Sequence, residues 1–182
     1  MGKGGLLVIL GGLPGVGKTS IARALSLRVG AVHLRIDSIE AGLRASQARV
    51  TSVEDAGYQA AYRVAGDNLR IGHVVVADAV NPVLPTRQAW LAVAAQAGVP
   101  ALQVEIRCSD VDEHRRRVEE RHGLRGPEPL PTWQDVLDRG YQPWSGVDCV
   151  LDTAQLPLAT AVETLRAAVL QRAAPRSGRP DI

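Results

Sequence analysis

Gly12-Leu-Pro-Gly-Val-Gly-Lys-Thr19 spells G-x-x-x-x-G-K-[ST] directly after the unbroken apolar run Leu6 to Leu10. That spacing folds a loop whose backbone N–H groups face a polyphosphate, and it requires a strand entering the loop and a helix leaving it. Both flanks agree. The apolar run reads as a buried parallel strand, and the residues after Thr19 put Ile21, Ala22, Leu25 and Val29 on one helical stripe. Gly12, Pro14, Gly15, Val16, Gly17, Lys18, Thr19 and Ser20 are therefore expected to cradle a nucleoside triphosphate, with ATP as the default ligand. Lys18 would reach the outer phosphates, and the Thr19 hydroxyl would ligate magnesium (Mg2+). The chain holds only two lysines, Lys3 and Lys18, against nineteen arginines. A compact point charge suits a place where a forked guanidinium is too wide, so lysine here is chemical. As an exposed loop residue, Lys18 should contribute little to packing.

The rest of the chain alternates between two periods. Apolar runs at 31–36, 73–77, 99–106 and 147–151 read as strands, and 53–71, 86–97, 110–120 and 158–172 read as helices, with Trp90 on a buried face. Strands alternating with helices imply an α/β P-loop fold, a five-stranded parallel sheet covered on both faces, with ligands at the carboxyl ends of the strands. One domain over 1–173 is expected, followed by a disordered Pro-, Arg- and Ser-rich tail over 174–182. The three prolines between Gly123 and Thr132, following an arginine-rich helix, mark a mobile lid over about 110–132.

Composition narrows the classes of function. A net charge of +2 is too small to argue for nucleic acid by itself, and six Trp and Tyr residues with no Phe leave few stacking platforms, so a nucleic-acid partner is disfavoured and stays an open alternative. Cys108 and Cys149 read as buried thiols in a reducing cytosol, and His33, His73, His114 and His122 have no zinc-ligand spacing. No stretch can span a bilayer, and the start is too short for a signal-peptide core, so a cytoplasmic location without membrane attachment is expected. Oligomeric state is left open.

Two carboxylates follow predicted strands. Asp37 lies nineteen residues after Lys18, where a carboxylate can accept the proton of an attacking hydroxyl. Asp37-Ser-Ile-Glu40 also fits a helix capping box. Asp78 ends Val74-Val-Val-Ala77, an apolar strand closed by an acid, which is the pattern that holds the magnesium shell. In the predicted lid helix Arg117 and Arg121 share a face and can neutralise charge on a phosphoryl group in transit, the alternative being a solvated face paired with Glu119 and Glu120. Tyr58, Tyr62 and Arg63, with Arg44 and Arg49 ahead of them, either line an acceptor pocket or form ordinary helix surface.

These segments resemble the P-loop kinase group that includes chloramphenicol phosphotransferase, the zeta toxins and phage-type polynucleotide 5'-kinase. Leu34-Arg-Ile-Asp37-Ser-Ile-Glu40 is similar to the segment that carries the group's catalytic aspartate. Val75-Val-Ala-Asp78-Ala-Val-Asn81, then Arg87 and Trp90, resembles the polynucleotide kinase pattern, with a longer interval from Asp78 to Arg87. Cys108-Ser-Asp110 followed by Arg117 and Arg121 resembles the lid helix whose arginines contact nucleotide phosphates. The resemblance implies an ATP- and Mg2+-dependent kinase that phosphorylates a hydroxyl of a small molecule. A polynucleotide or nucleotide kinase, and an ATPase switch without kinase activity, are the alternatives. Neither Asn68 nor Asn81 opens an Asn-Lys-x-Asp guanine-reading motif.

Overall fold

A computed structural model of the chain describes residues 4–46, 52–123 and 130–173. Five strands, β1 (Leu6–Gly11), β2 (Val32–Arg35), β3 (Val74–Asp78), β4 (Ala101–Arg107) and β5 (Cys149–Asp152), form one parallel sheet in the order β2-β3-β1-β4-β5. The intervening helices are α1 (Lys18–Val29), α2 (Ile36–Ala45), α3 (Val53–Arg70), α4 (Leu84–Ala97), α5 (Val111–Gly123), α6 (Trp133–Leu137) and α7 (Leu158–Arg172). This is the doubly covered P-loop fold that the alternating periods imply.

The pleat of β1 divides the core. Leu6, Val8 and Leu10 point to one face and pack in a cluster with Ile21 and Leu25 of α1 and Leu165 and Val169 of α7. Leu7 and Ile9 point to the other, in a cluster with Ala61 and Ala65 of α3 and Trp90 of α4. All six residues of β1 are buried, which is why the strand reads as a continuous apolar run with no alternation. Truncating one of its leucines to alanine costs about 2–5 kcal/mol through lost transfer energy and the cavity left behind.

Register then aligns the chemistry. Asp78 at the end of β3 pairs with Leu10 on one side and Arg35 on the other, and Glu105 of β4 pairs with Gly11. The carboxyl ends of β1, β2 and β3 thus deliver the glycine loop, α2 and Asp78 to one rim.

Two helices depart from the sequence expectation. The second strand stops at Arg35, and α2 follows at once because Ile36 and Ile39 turn onto the α3 and α4 face of the sheet. Arg35 is its N-cap, so Asp37 sits inside the first turn and does not cap the helix. The five-residue α6 starts at a capping box in which Thr132 and Asp135 bond each other reciprocally. Cys108 and Cys149 are free thiols, half-buried where full burial was expected. No described helix is long and apolar enough to cross a membrane. The tail 174–182, Arg49, and 124–129 with Arg125 lie outside the described residues.

Candidate active site

The glycine loop is held from three sides. Gly12 takes φ +143° with its Cα against the backbone of β4, where a Cβ would stand 2.2 Å from the Ile106 carbonyl oxygen. Gly15 takes φ +86° beneath α5, where a Cβ would stand 2.4 Å from Val118 Cγ2. Only glycine fits both places. His114 of α5 donates from Nε2 to the Pro14 carbonyl at 2.7 Å, and its ring meets Trp133 edge-on at 5.1 Å. Thr153, just after β5, donates its hydroxyl to the Val16 carbonyl at 2.9 Å. The loop's last residues, Gly17, Lys18, Thr19 and Ser20, open α1 with its N-terminal N–H groups facing the cleft.

Lys18 is buried, a correction to the exposed loop lysine expected from sequence. Its Nζ donates to the Leu13 carbonyl at 2.8 Å, closing the loop over itself. Burial lowers its pKa to about 8, against the opposing pull of the Asp78 and Asp37 carboxylates. A phosphate arriving here would meet an ammonium already stripped of water.

Asp78 is 3% exposed and accepts from His33 Nε2 at 3.1 Å. Burial pushes its pKa upward, but the His33 hydrogen bond, the Lys18 charge and a hydrogen bond from the Thr19 side chain together hold it below the ordinary aspartate value. The anionic carboxylate beside the Thr19 hydroxyl is a hard-oxygen pair suited to magnesium. Mg2+ takes one or two protein oxygens and fills its octahedron with water and phosphate. Among the described residues no cluster of three His, Cys, Asp or Glu exists, so the donor set suits this use better than a protein-caged metal. His33 gave no signal in the sequence, because its role arises only when β2 lies against β3 and its ring reaches along the strand to Asp78.

Asp37 is more than half exposed at the cleft, with Arg35 donating to its Oδ2 at 2.8 Å. Arg117 does not stand free. It donates to Thr153 Oγ1 at 2.9 Å, to the Thr153 carbonyl at 3.2 Å and to Glu113 Oε1 at 2.7 Å, so it ties α5 to the loop after β5. With His114 and Val118 buried against the glycine loop, the first half of the expected lid is docked in this structure. Arg121, one turn further, lines the cleft and bears on the charge of Lys18.

Together these groups line one open cleft of about 1050 Å³ across the carboxyl ends of the strands. At the β5 end it is bounded by Arg117, Thr153, Leu156 and Leu158, and at the β2 end by Arg35, Asp37, Glu40 and Arg44 of the strand and α2. The phosphate loop lies between. Arg139, from the segment after α6, completes the wall and was not anticipated; a lone arginine in a polar stretch carries no periodic or motif signal.

A family model described as AAA domain matches residues 7–141. The chain belongs to this AAA domain family. No curated protein sequence matches it. Among solved structures, the AAA domain chain is similar to the Mycobacterium tuberculosis APS kinase CysC solved with AMPPNP and APS, at 22% identity over 92% of this chain and 98% of that one, with a TM-score of 0.72. It is also similar to Chaetomium thermophilum Kti12 in complex with ADP-AlF3, at 17% identity over 93% and 100% of the two chains, TM-score 0.73. A gluconokinase from Sinorhizobium meliloti 1021 matches at 20% identity over 94% of each chain, TM-score 0.60. These likenesses establish a P-loop kinase-like fold.

Other expected residues serve the scaffold. Asn81, fully buried at φ 50°, donates to the Leu10 carbonyl at 2.7 Å and accepts from Trp90 Nε1 at 3.1 Å. Arg87 donates to the carbonyls of Asn81, Pro82, Gln142 and Pro143 and lies over the Trp144 ring at 4.7 Å. The Asn-Arg-aromatic pattern after Asp78 therefore braces the carboxyl end of the central strand β1. Buried Glu105 completes that brace, accepting from Tyr141 Oη at 3.0 Å and from Arg107. Tyr58 and Tyr62 are neither pocket lining nor open surface: Tyr62 packs edge-on against Trp90 at 4.6 Å, and the Tyr58 hydroxyl accepts from the Asn81 N–H. Arg63 is exposed, and Arg44 lines the cleft while pairing with Glu40 at 3.0 Å.

Proposed function

We propose that this protein is an ATP- and Mg2+-dependent kinase that transfers the γ-phosphate to a hydroxyl of a small molecule, within a single kinase domain over 1–173. The observation that carries the reading is the convergence of Lys18, Thr19, Asp78 and Asp37 on one rim of one cleft, with Lys18 under the electrostatic influence of both carboxylates. In this reading the base and ribose lie toward Leu156, Leu158 and Arg117, and the triphosphate follows the glycine loop. Thr19 and Asp78 hold the magnesium, which when bound neutralises charge on the phosphate oxygens. Lys18 fixes the γ-phosphate. The acceptor hydroxyl, held by Asp37 at the β2 end, attacks phosphorus as the bond to the bridging oxygen of ADP breaks, and its proton passes to the Asp37 carboxylate. Arg121 adds positive charge to the phosphoryl group in flight, and Arg117 keeps α5 seated on the loop. Closure of the stretch beyond Val118 would exclude water from the reaction.

Within the resemblance, the Asp37-Ser38 pair is closest to the chloramphenicol phosphotransferase segment, which bears on the residue that receives the proton and leaves the acceptor open. The test is a screen of hydroxylated metabolites and antibiotics with γ-labelled ATP, against an acceptor-free control. Label appearing in an acceptor supports the kinase. Fast phosphate release that no acceptor changes identifies an ATPase and removes the proposal.

A further inference from the structure

The composition of the acceptor end of the cleft narrows the substrate class, on the footing of the kinase reading. No aromatic or histidine side chain lines the cleft among the described residues, because Tyr58, Tyr62 and Trp90 are turned into the core and Tyr141 and Trp144 into the brace around Arg87 and Glu105. A ring-bearing acceptor, whether nucleobase or arene, would find no stacking surface there. What the wall offers is charge and hydrogen bonding.

The charges are unequally engaged. Arg35 is occupied by Asp37, and Arg44 by Glu40. Asp135 accepts from the Thr132 amide and hydroxyl, and Asp138 accepts from Gln134. Among the described residues Arg23, Arg121 and Arg139 of the cleft make no ion pair or side-chain hydrogen bond, and of these three only Arg139 lies outside the α1 and α5 helices beside the phosphate loop. It lines the same cleft as Lys18, Asp37 and Glu40, and its charge bears on Lys18, on Tyr58 of α3 and on Asp135. An exposed guanidinium on the cleft wall, hydrogen-bonded to no acid among the described residues, is a fork open to an incoming oxyanion.

We propose that the acceptor is a non-aromatic, hydroxyl-rich molecule bearing an oxyanion group, a carboxylate or a phosphate ester, which Arg139 receives while Asp37 holds the reacting hydroxyl. The two oxyanions share the bidentate geometry that a guanidinium matches. Arg139 is a specificity residue in this scheme and makes no direct contact with the nucleotide.

The test uses the full chain with magnesium and γ-labelled ATP and a panel of polyol carboxylates and polyol phosphate esters. Each is matched to its neutral alcohol and to its amine counterpart. Binding of AMPPNP to wild type and Arg139→Gln is measured in parallel by calorimetry. Wild type should phosphorylate anionic polyols and reject the neutral and aminated ones, and the carboxylate and phosphate arms identify which oxyanion fits. In Arg139→Gln the KM for the anionic acceptor should rise about ten- to a hundredfold, the worth of a charge-assisted hydrogen bond, with a much smaller change in AMPPNP affinity and partial rescue by Arg139→Lys. Equal use of neutral or aminated acceptors, or loss of AMPPNP affinity in Arg139→Gln, overturns the assignment while leaving the kinase intact. Tight AMPPNP binding with no acceptor phosphorylated at all overturns both, and is recognised by wild type and Arg139→Gln being indistinguishable.

Discussion

On the kinase reading, Lys18 should make the nucleotide affinity of this protein depend on pH in the alkaline range. Desolvation lowers its pKa from 10.5 to about 8, even though Asp78 and Asp37 pull the other way. In the unfolded chain the lysine keeps its proton up to about pH 10.5. Between about pH 8 and 10.5 the unfolded state therefore binds more protons than the native state, and stability rises with pH across that window. At neutral pH both states are charged and the native state carries the whole penalty. The two pKa values differ by about 2.5, which corresponds to about 3 kcal/mol. Phosphate oxygens would compensate the buried ammonium, so binding must restore a proton wherever the free protein has lost it. The affinity for magnesium AMPPNP should be level below about pH 8 and fall about tenfold per pH unit above it. Calorimetry near pH 8.5 in buffers of different ionisation enthalpy should register uptake of about three quarters of a proton. Lys18→Met should abolish the uptake, weaken binding, and stabilise the unliganded protein at pH 7 by up to about 3 kcal/mol, since the methionine stem fills the same buried space without a charge. Affinity that is flat across this range without proton uptake, or a Lys18→Met protein that is less stable than wild type, would refute the reasoning.

Three other substitutions separate the proposed roles. Asp37→Asn should slow transfer by on the order of a hundredfold or more with nucleotide affinity nearly unchanged, as loss of positioned proton transfer requires; raised nucleotide Kd with unchanged turnover would make it a structural residue. Asp78→Asn should weaken AMPPNP binding chiefly in its magnesium dependence, and His33→Ala should shift that dependence the same way but less, because it frees the Asp78 carboxylate without removing it. Titrating magnesium at fixed AMPPNP reads both. Gly15→Ala should cost about 1–2 kcal/mol from the left-handed backbone alone, and its clash with Val118 should lift α5 from the loop. Thermal melts and proteolysis of α5 check it, and an unshifted Tm would contradict the docking of that helix.

Much of the architecture was legible because this sheet is parallel and buried on both faces, so β1 and β3 appear as apolar runs that need no tertiary context. The strand–glycine loop–helix unit located the candidate phosphate loop, and an acid at the end of an apolar run located Asp78 on the same rim. The errors came where tertiary contact overrides local pattern. Asp37 reads as a cap beside Glu40, yet burial of Ile36 starts α2 earlier and moves the aspartate into its first turn. Tyr58 and Tyr62 have the spacing of a pocket wall but are claimed by Trp90 and Asn81. Arg87, singled out by the resemblance to the polynucleotide kinase pattern, collects backbone carbonyls from two segments. His33 and Arg139 were invisible for the opposite reason: each acquires a role only from a neighbour distant in sequence.

The central claim is that one rim brings a γ-phosphate between Lys18 and Asp37, and a crystal structure with magnesium and AMPPNP tests it directly. The account predicts the triphosphate along Gly12 to Ser20, the γ-phosphate against Lys18 Nζ, the metal on the Thr19 hydroxyl with Asp78 in its shell, and the Asp37 carboxylate facing the γ-phosphate across space for an acceptor. Nucleotide bound away from the glycine loop, or a γ-phosphate turned from Asp37 with the metal on that residue, would contradict it.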